Sequence, residues 1–341
     1  MQKIYWYLCG VILFALTWSC KQDTASSTNS SVEITNKQAV QIPSFSDDTA
    51  FAFVQTQVNF GPRNPNSAAA QACRSWIIKT LELYGIPVIE QPFEAKGYTG
   101  TLYQGVNIIG TFRPELNKRI MLSAHYDTRF MAEEDPETAK QNKPILGADD
   151  GASGVAVLLE IARSLAGTPP DLGVDFVFFD LEDQGERNGS DIKSWCLGAQ
   201  HWSRTPHTSV ARPKYGILLD MVGGRNARFL VENVSNTYAP DLAGRVTAMY
   251  IKVWKVANAL GKSNYFADGS VSGIIDDHYF INSIAGIPTI DIINKPPGTT
   301  TGFPAHWHTH ADDLQVIDKR TLKAVGSVVL YVIYQEAQGL F

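Results

Sequence analysis

The sequence predicts an α/β protein, a three-layer sandwich with a central, mostly parallel mixed sheet flanked by helices. Two observations lead there. Residues 174–180 (VDFVFFD), 215–221 and 287–293 are near-continuous apolar runs, the pattern of strands buried on both faces. Around them lie segments with helical apolar spacing, so strands and helices alternate along the chain. No break in composition separates a second domain within residues 48–341, so one domain is the simpler reading.

Taken in order, residues 67–84 carry apolar side chains at helical spacing and stop at Gly85, a residue suited to a helix C-terminus. Residues 88–93 and 105–112 read as strands, and 119–124 form a compact apolar strand running into His125. Residues 151–165 set Val155, Leu158, Leu159, Ala162 and Leu165 on one helical face. Residues 241–260 and 318–338 read as two further helices. The stretch 131–144 (MAEEDPETAKQNKP) is polar and punctuated by proline, so it reads as a surface loop without a legible role.

Composition excludes several classes. With 44% hydrophobic and only 18% charged residues the chain can build a core and is not intrinsically disordered. A net charge of −5 supplies no basic stripe for phosphate neutralisation, so nucleic acid is not an expected partner. Four cysteines are too few for a disulfide scaffold.

Residues 1–19 read as an export signal, with Lys3 ahead of an apolar run that is too short to span a bilayer comfortably. Ser19 followed by Cys20 resembles a bacterial lipoprotein signal, in which Cys20 is the lipidated first residue of the mature chain. Thr17 departs from the aliphatic residue usual there, and ordinary secretion or an uncleaved anchor are the other readings. Residues 20–47 are rich in Ser, Thr and Asn, as expected of a flexible tether. The expectation is a membrane-anchored lipoprotein on the periplasmic side, with a monomeric folded body from 48 to 341. Loss of Lys3 makes it one unit more negative than −5. Cys73 and Cys196 then remain and could pair in an oxidising compartment, which spacing alone does not decide.

Ligands in open α/β sheets gather at the carboxyl ends of strands. Polar clusters fall at those ends here: His125-Tyr126-Asp127, then Asp180-Leu181-Glu182-Asp183, then Asp220. Asp149 and Asp150 open a helix, and Asp276-Asp277-His278 and His306-Trp307-His308 follow downstream. Each has a bland reading alone. A single Asp after a strand is usually a cap or turn residue, Asp149 or Asp150 could cap the helix, and His306 or His310 could be ordinary surface histidines. His201 reads as structural or exposed. Several strand ends carrying acid or imidazole together are harder to dismiss, because each would cost desolvation energy unless paired or metal-bound.

The motifs SAHYDT, GADDGASGVAVLLEIAR, FVFFDLED, LLDMVG, IIDDHYF, GIPTIDII and FPAHWHTHADD together resemble the zinc aminopeptidase-like (phosphorylase/hydrolase-like) α/β proteins. Within that group they resemble the animal-type glutaminyl cyclases found also in some bacteria. The resemblance covers residues 48–341. It implies Zn2+ held by Asp150, Asp183 and His308, one ion per chain, with Asp183 standing where animal cyclases carry Glu. It implies Glu182 as general acid/base, Asp220 and Asp276 in a hydrogen-bonded network with it, and Trp307, Phe303 and, by a looser match, Trp195 as aromatic walls. The substrates implied are peptides and exported proteins with N-terminal glutamine, converted to pyroglutamate with release of ammonia. His125 is either structural or part of a second metal site. The alternative is a two-zinc aminopeptidase with ligands His125, Asp150, Asp183, Asp220 and His308. A non-catalytic binding relative is a minor third reading, against which the intact Glu182 and ligand set argue.

Overall fold

The computed structural model describes residues 41–341 except 188–189, 208–209 and 234–237. The expected signal, Cys20 and the expected tether as far as residue 40 lie outside the described residues. The stretch 41–47, expected to continue the tether, is already tied to the folded body through Phe45 and Ser46. Phe45 is 2% exposed, and a Cβ on Gly326 would stand 2.1 Å from its ring. Ser46 donates its N–H to Glu160 Oε1 and caps helix α1 (Asp47–Asn59) by accepting from the Thr49 amide. Burial of one aromatic ring outweighs the polar composition around it.

The remaining elements run α2 (Ala68–Leu83), β1 (Val88–Lys96), β2 (Leu102–Phe112), β3 (Arg119–His125), α3 (Ala152–Gly167), β4 (Gly173–Phe179) and α4 (Leu197–Arg204). They continue through β5 (Gly216–Asp220), β6 (Phe229–Glu232), α5 (Pro240–Ala259), β7 (Phe266–Val271), α6 (Asp277–Phe280), β8 (Thr289–Ile293) and α7 (Lys319–Gln338). The main sheet has the order β1-β2-β4-β3-β5-β8. β1, β2 and β4 pair antiparallel, whereas β4-β3, β3-β5 and β5-β8 pair parallel. The expected mixed, mostly parallel sheet is therefore present. The short pair β6-β7, α1 and α4 were not anticipated.

The layering follows from strand alternation. Ile108, Ile120, Leu122, Phe176 and Phe178 point into one core with α1, α2, α3, α5 and α7. Their neighbours Ile109, Met121, Val177 and Phe179 point into a second core with Cys196, Ala199 and Trp202 of the α4 region and Phe280 of α6. Both faces are thus covered, which is why these strands read as continuous apolar runs.

Helix α3 differs from the expected one-faced helix: it is buried nearly all round. Small residues make this possible. A Cβ on Gly154 would come within 2.3 Å of the Leu219 carbonyl oxygen, so glycine lets α3 lie directly against β5. The two cysteines also sit apart, Cys73 in the first core and Cys196 in the second, and both thiols are free.

Candidate active site

Parallel pairing brings the strand ends to one edge. In register, His125 lies beside Phe179, and Asp220 beside Ile293. Directly beyond β4 and β5 the backbone turns through the left-handed region at Leu181 (φ 59°) and Met221 (φ 47°), and it does so again at His308 (φ 53°) in the long connection after β8, none of them glycine. Such conformations cost on the order of 1 kcal/mol each and persist where surrounding contacts over-determine them.

Those contacts are visible. Asp127 is fully buried and accepts the amides of Glu182 (3.1 Å) and Asp183 (3.2 Å) and the Gln184 side chain (2.8 Å). Arg129 Nη1 donates to the carbonyls of Asp183 and Gly185. On the other side Asp312 accepts the amides of Asp149 and Asp150 at 2.7 and 3.1 Å, while the Asp149 carboxylate accepts from the Gly223 amide and pairs with His306. Asp149 and His306 therefore hold the loop rather than cap a helix or face solvent. His201 stacks on Phe93 away from this region.

Asp150, Asp183 and His308 present donor atoms within 4.8 Å of one another, and all three are buried. His308 Nε2 lies 3.0 Å from Asp183 Oδ1 and 3.8 Å from Asp150 Oδ2. The other Asp150 oxygen faces His125 Nε2 at 3.1 Å, and that same nitrogen lies 3.2 Å from Asp220 Oδ1. Asp150 thus stands between two imidazoles. Asp183 Oδ2 is buried and has no hydrogen-bond partner. Converging oxygen and nitrogen donors with a buried carboxylate oxygen left over fit a divalent cation of the zinc type.

Burial and the crowding of charge shape the protonation of these groups. Burial raises Asp183 to about 6 despite His308. Burial would lower the His308 imidazole, but Asp183 and Glu133 lift it to about 10. Burial likewise pushes Glu182 well above the usual carboxylate range, with His125 opposing and Asp183, Asp276 and Asp277 adding to it. Cys196 Sγ lies 3.3 Å from Glu182 Oε1 and serves as its hydrogen-bond donor, a contact the sequence did not suggest.

Asp150, Glu182, Asp183, Trp195, Asp220, Asp276, Phe303, Trp307 and His308 all line one cleft of about 330 Å³. His125 sits beneath it. Trp307 stacks on His308 at 3.7 Å between ring centres and on Phe303 at 4.5 Å. Trp195 lies near-parallel to the His308 ring at 6.1 Å, with the Arg129 guanidinium 4.6 Å from the indole centre. The loop 131–144 is more than a surface loop. Ala132, Glu133 and Asp135 are buried, Glu133 pairs with Arg129, and its Oε1 lies 3.1 Å from His308 Nδ1.

Comparison with known proteins gives consistent results. The family model for peptidase family M28 matches residues 107–333. The glutaminyl-peptide cyclotransferase of Gloydius blomhoffii is 28% identical over 294 residues, covering 78% of this chain and 75% of that protein. The solved glutaminyl cyclase of Bacteroides thetaiotaomicron, bound to N-acetylhistamine, is 47% identical with a TM-score of 0.81, over 86% of this chain and 99% of that one. A Zn-dependent exopeptidase from Parabacteroides distasonis is 44% identical with a TM-score of 0.81, over 86% and 99%.

Proposed function

We infer that this chain, which belongs to peptidase family M28, is a glutaminyl-peptide cyclotransferase that converts N-terminal glutamine of a peptide to pyroglutamate and releases ammonia. One observation carries the reading from the site itself. A buried acid, Glu182, shares a cleft with the Asp150, Asp183 and His308 donors and a stacked Trp307-Phe303 wall. A cleft of about 330 Å³ suits one folded glutamine side chain with the peptide leaving through the mouth.

In the reaction the α-nitrogen forms a bond to the γ-carboxamide carbon, and the bond from that carbon to the amide nitrogen breaks. Nucleophile and electrophile belong to one residue, so the site acts chiefly by holding the side chain folded back on itself. Trp307, Phe303 and Trp195 restrict that conformation and exclude water. Glu182 takes the proton from the α-ammonium and returns it to the departing nitrogen, and its burial favours the neutral acid needed for that return. Asp220 and Asp276 hold the leaving ammonia. Family membership and the zinc-dependent neighbour point to zinc, with Asp150, Asp183 and His308 as its ligands and about one ion per chain. When bound, zinc supplies Lewis acidity toward the carboxamide oxygen.

A second reading rests on the group His125, Asp150 and Asp220, whose donor atoms also lie within 4.8 Å of one another. With a second ion there, the chain would be a two-zinc aminopeptidase. The test incubates the purified chain with a Gln-initiated peptide and with leucine anilide. Ammonia with a pyroglutamyl product is expected; arylamine alone would overturn the cyclase in favour of the peptidase.

The same proposal includes export and a lipid on Cys20, which leaves a periplasmic body acting on clients whose own signals have been removed. Mass spectrometry of the mature N-terminus checks this: a diacylated Cys20 supports it, and an unmodified downstream N-terminus sinks it.

A further inference from the structure

The cleft carries its charge in two layers. The carboxyls of Asp150, Glu182, Asp183, Asp220 and Asp276 line it and are buried. Among the described residues the only lysine and arginine on its wall are Lys295 and Arg187, the first half-buried and the second exposed. Negative charge therefore fills the depth of the cleft, and positive charge stands at its mouth.

Both cations are held in place without being neutralised. The Lys295 amide donates to the Arg228 carbonyl at 3.1 Å, and Asn294 Oδ1 accepts the Arg228 amide at 3.0 Å, which ties the chain beyond β8 to the start of β6. The Lys295 ammonium then lies 4.5 Å from the centre of the Phe303 ring, the same ring that stacks on Trp307. Arg187 Nη2 donates to the Glu133 carbonyl and to Gln141 Oε1, at 3.3 and 3.1 Å. Among the described residues neither side chain forms an ion pair with a carboxylate, whereas the buried Arg129 nearby is paired with Glu133. Burial pulls the Lys295 ammonium below its ordinary value, with Asp291 and Glu232 opposing. A carboxylate arriving from solvent would offset that cost.

The reaction decides what meets these cations. The α-nitrogen and the γ-carboxamide of the substrate must both reach Glu182 and the zinc donors, so the glutamine carbonyl leads the peptide outward past the Phe303-Trp307 wall. The next Cα lies only about 3.8 Å further on, which brings the side chains of the following one or two residues to the mouth. Those residues are unchanged by cyclisation. Contacts to them select among substrates and contribute equally to bound substrate and transition state.

We propose that Lys295 and Arg187 make the enzyme selective for acidic peptides, by receiving a carboxylate from one of the two residues that follow the N-terminal glutamine. This deepens the cyclase reading and rests on it. Two cations above five carboxyls also have a plainer role, to balance the charge of the site. That role acts on every substrate alike, so the two are separable by experiment.

The test measures ammonia release by the zinc-loaded wild type, Lys295→Met and Arg187→Gln on four peptide amides: Gln-Glu-Ala-Ala, Gln-Ala-Glu-Ala, Gln-Ala-Ala-Ala and Gln-Lys-Ala-Ala. Amidation removes the terminal carboxylate, so only side-chain charge varies. Met keeps the apolar stem beside Phe303, and Gln keeps a donor for the Glu133 carbonyl. The wild type is expected to favour at least one Glu peptide over the all-Ala peptide by roughly three- to tenfold in kcat/KM, chiefly through KM, with the Lys peptide lowest. That ratio is expected to fall toward one in each variant, and in wild type at about 1 M salt, where charges are screened within about 3 Å. A wild type that treats Glu and Ala peptides alike, or prefers the Lys peptide, overturns the inference without any variant having to fold. Variants that slow the Glu and Ala peptides by the same factor overturn it as well, in favour of simple charge balance. A wild type that releases no ammonia from any of the four sinks the cyclase reading instead.

Discussion

His308 Nδ1 lies 3.1 Å from Oε1 of Glu133, a carboxylate supplied by the polar loop between β3 and α3. Arg129 grips the same oxygen through Nε and Nη2, at 2.8 and 2.6 Å. His308 and Arg129 together bring the Glu133 carboxyl down to about 2 although burial alone would raise it. An imidazole whose far nitrogen faces a fixed carboxylate is oriented and made a better donor at its near nitrogen. Glu133→Gln, which keeps shape and removes charge, is expected to weaken zinc binding by about 10- to 100-fold. Competition against a chromogenic chelator measures this, and an unchanged dissociation constant would remove the loop from the site.

Glu182→Gln is expected to bind zinc as the wild type does and to lose about 10²- to 10⁴-fold in kcat, the usual worth of a positioned general acid/base. The amide can neither take the α-ammonium proton nor return one. Zinc analysis and steady-state ammonia release on one preparation separate the two effects; retained turnover would refute the assigned role.

Much of this site was legible because the apolar runs end where the acids begin. Continuous strands such as residues 174–179 announce their own carboxyl ends, so Glu182, Asp183 and Asp220 stood out by position. Asp127 stood out in the same way at the end of β3, but its role, like those of Asp312 and Glu133, did not. Asp127 acts on amides at positions 182 and 183, and Asp312 on those at 149 and 150, so neither leaves a local pattern. Glu133 was hidden by its neighbours, whose polar and proline-rich composition reads as solvent-exposed. Helix α1 was missed because its buried positions are Ala50, Val54 and Gln57, too small and polar a set for apolar spacing to reveal. Cys196 gives no sign in sequence that its thiol meets Glu182, because that contact depends on how α4 begins after a left-handed residue.

His125 separates the two metal readings. Its Nε2 approaches both Asp150 and Asp220, so an ion bound there would have to take that nitrogen as a ligand. With one zinc on Asp150, Asp183 and His308, His125→Gln is expected to leave zinc at about one per chain, while a two-zinc site would drop from about two to one. Elemental analysis of wild type and variant after dialysis decides between them, and chelation is expected to abolish ammonia release that zinc then restores.

Acid stability has a separate buried source. Arg119 Nε and Nη2 bond the two oxygens of Asp175 at 3.0 and 2.5 Å, and His207 Nε2 lies 3.6 Å from the same carboxylate. Burial would raise the Asp175 carboxyl, but His207 and Arg119 hold it below its ordinary value of 3.8. A group whose folded value is depressed contributes stability above its unfolded value and loses it as pH falls through the folded one. The Asp175 contribution is therefore complete at neutral pH and declines only below about pH 4. Asp175→Asn leaves Arg119 charged and unpaired in the core, an expected loss of about 3–5 kcal/mol at pH 7 that narrows toward pH 3. Urea unfolding at both pH values tests this, and a loss equal at both would show that the charge pair is not its cause.

Gly154 carries the contact between α3 and β5. The Cβ of an alanine there would stand 2.3 Å from the Leu219 carbonyl oxygen and 3.0 Å from the Ala124 side chain. Neither backbone can yield cheaply, because β5 is paired on both sides, with β3 and β8. Alanine ordinarily stabilises a helix relative to glycine by about 1 kcal/mol, so the sign of the effect is diagnostic. Overpacking is expected to win, with Gly154→Ala destabilising by about 1–3 kcal/mol in urea unfolding. Asp220 follows Leu219 and Asp150 precedes α3, so a forced separation would also spread the donors that these elements carry. Zinc affinity is therefore expected to fall together with stability, and a variant as stable and as zinc-avid as the wild type would show that α3 and β5 are not in the close contact described.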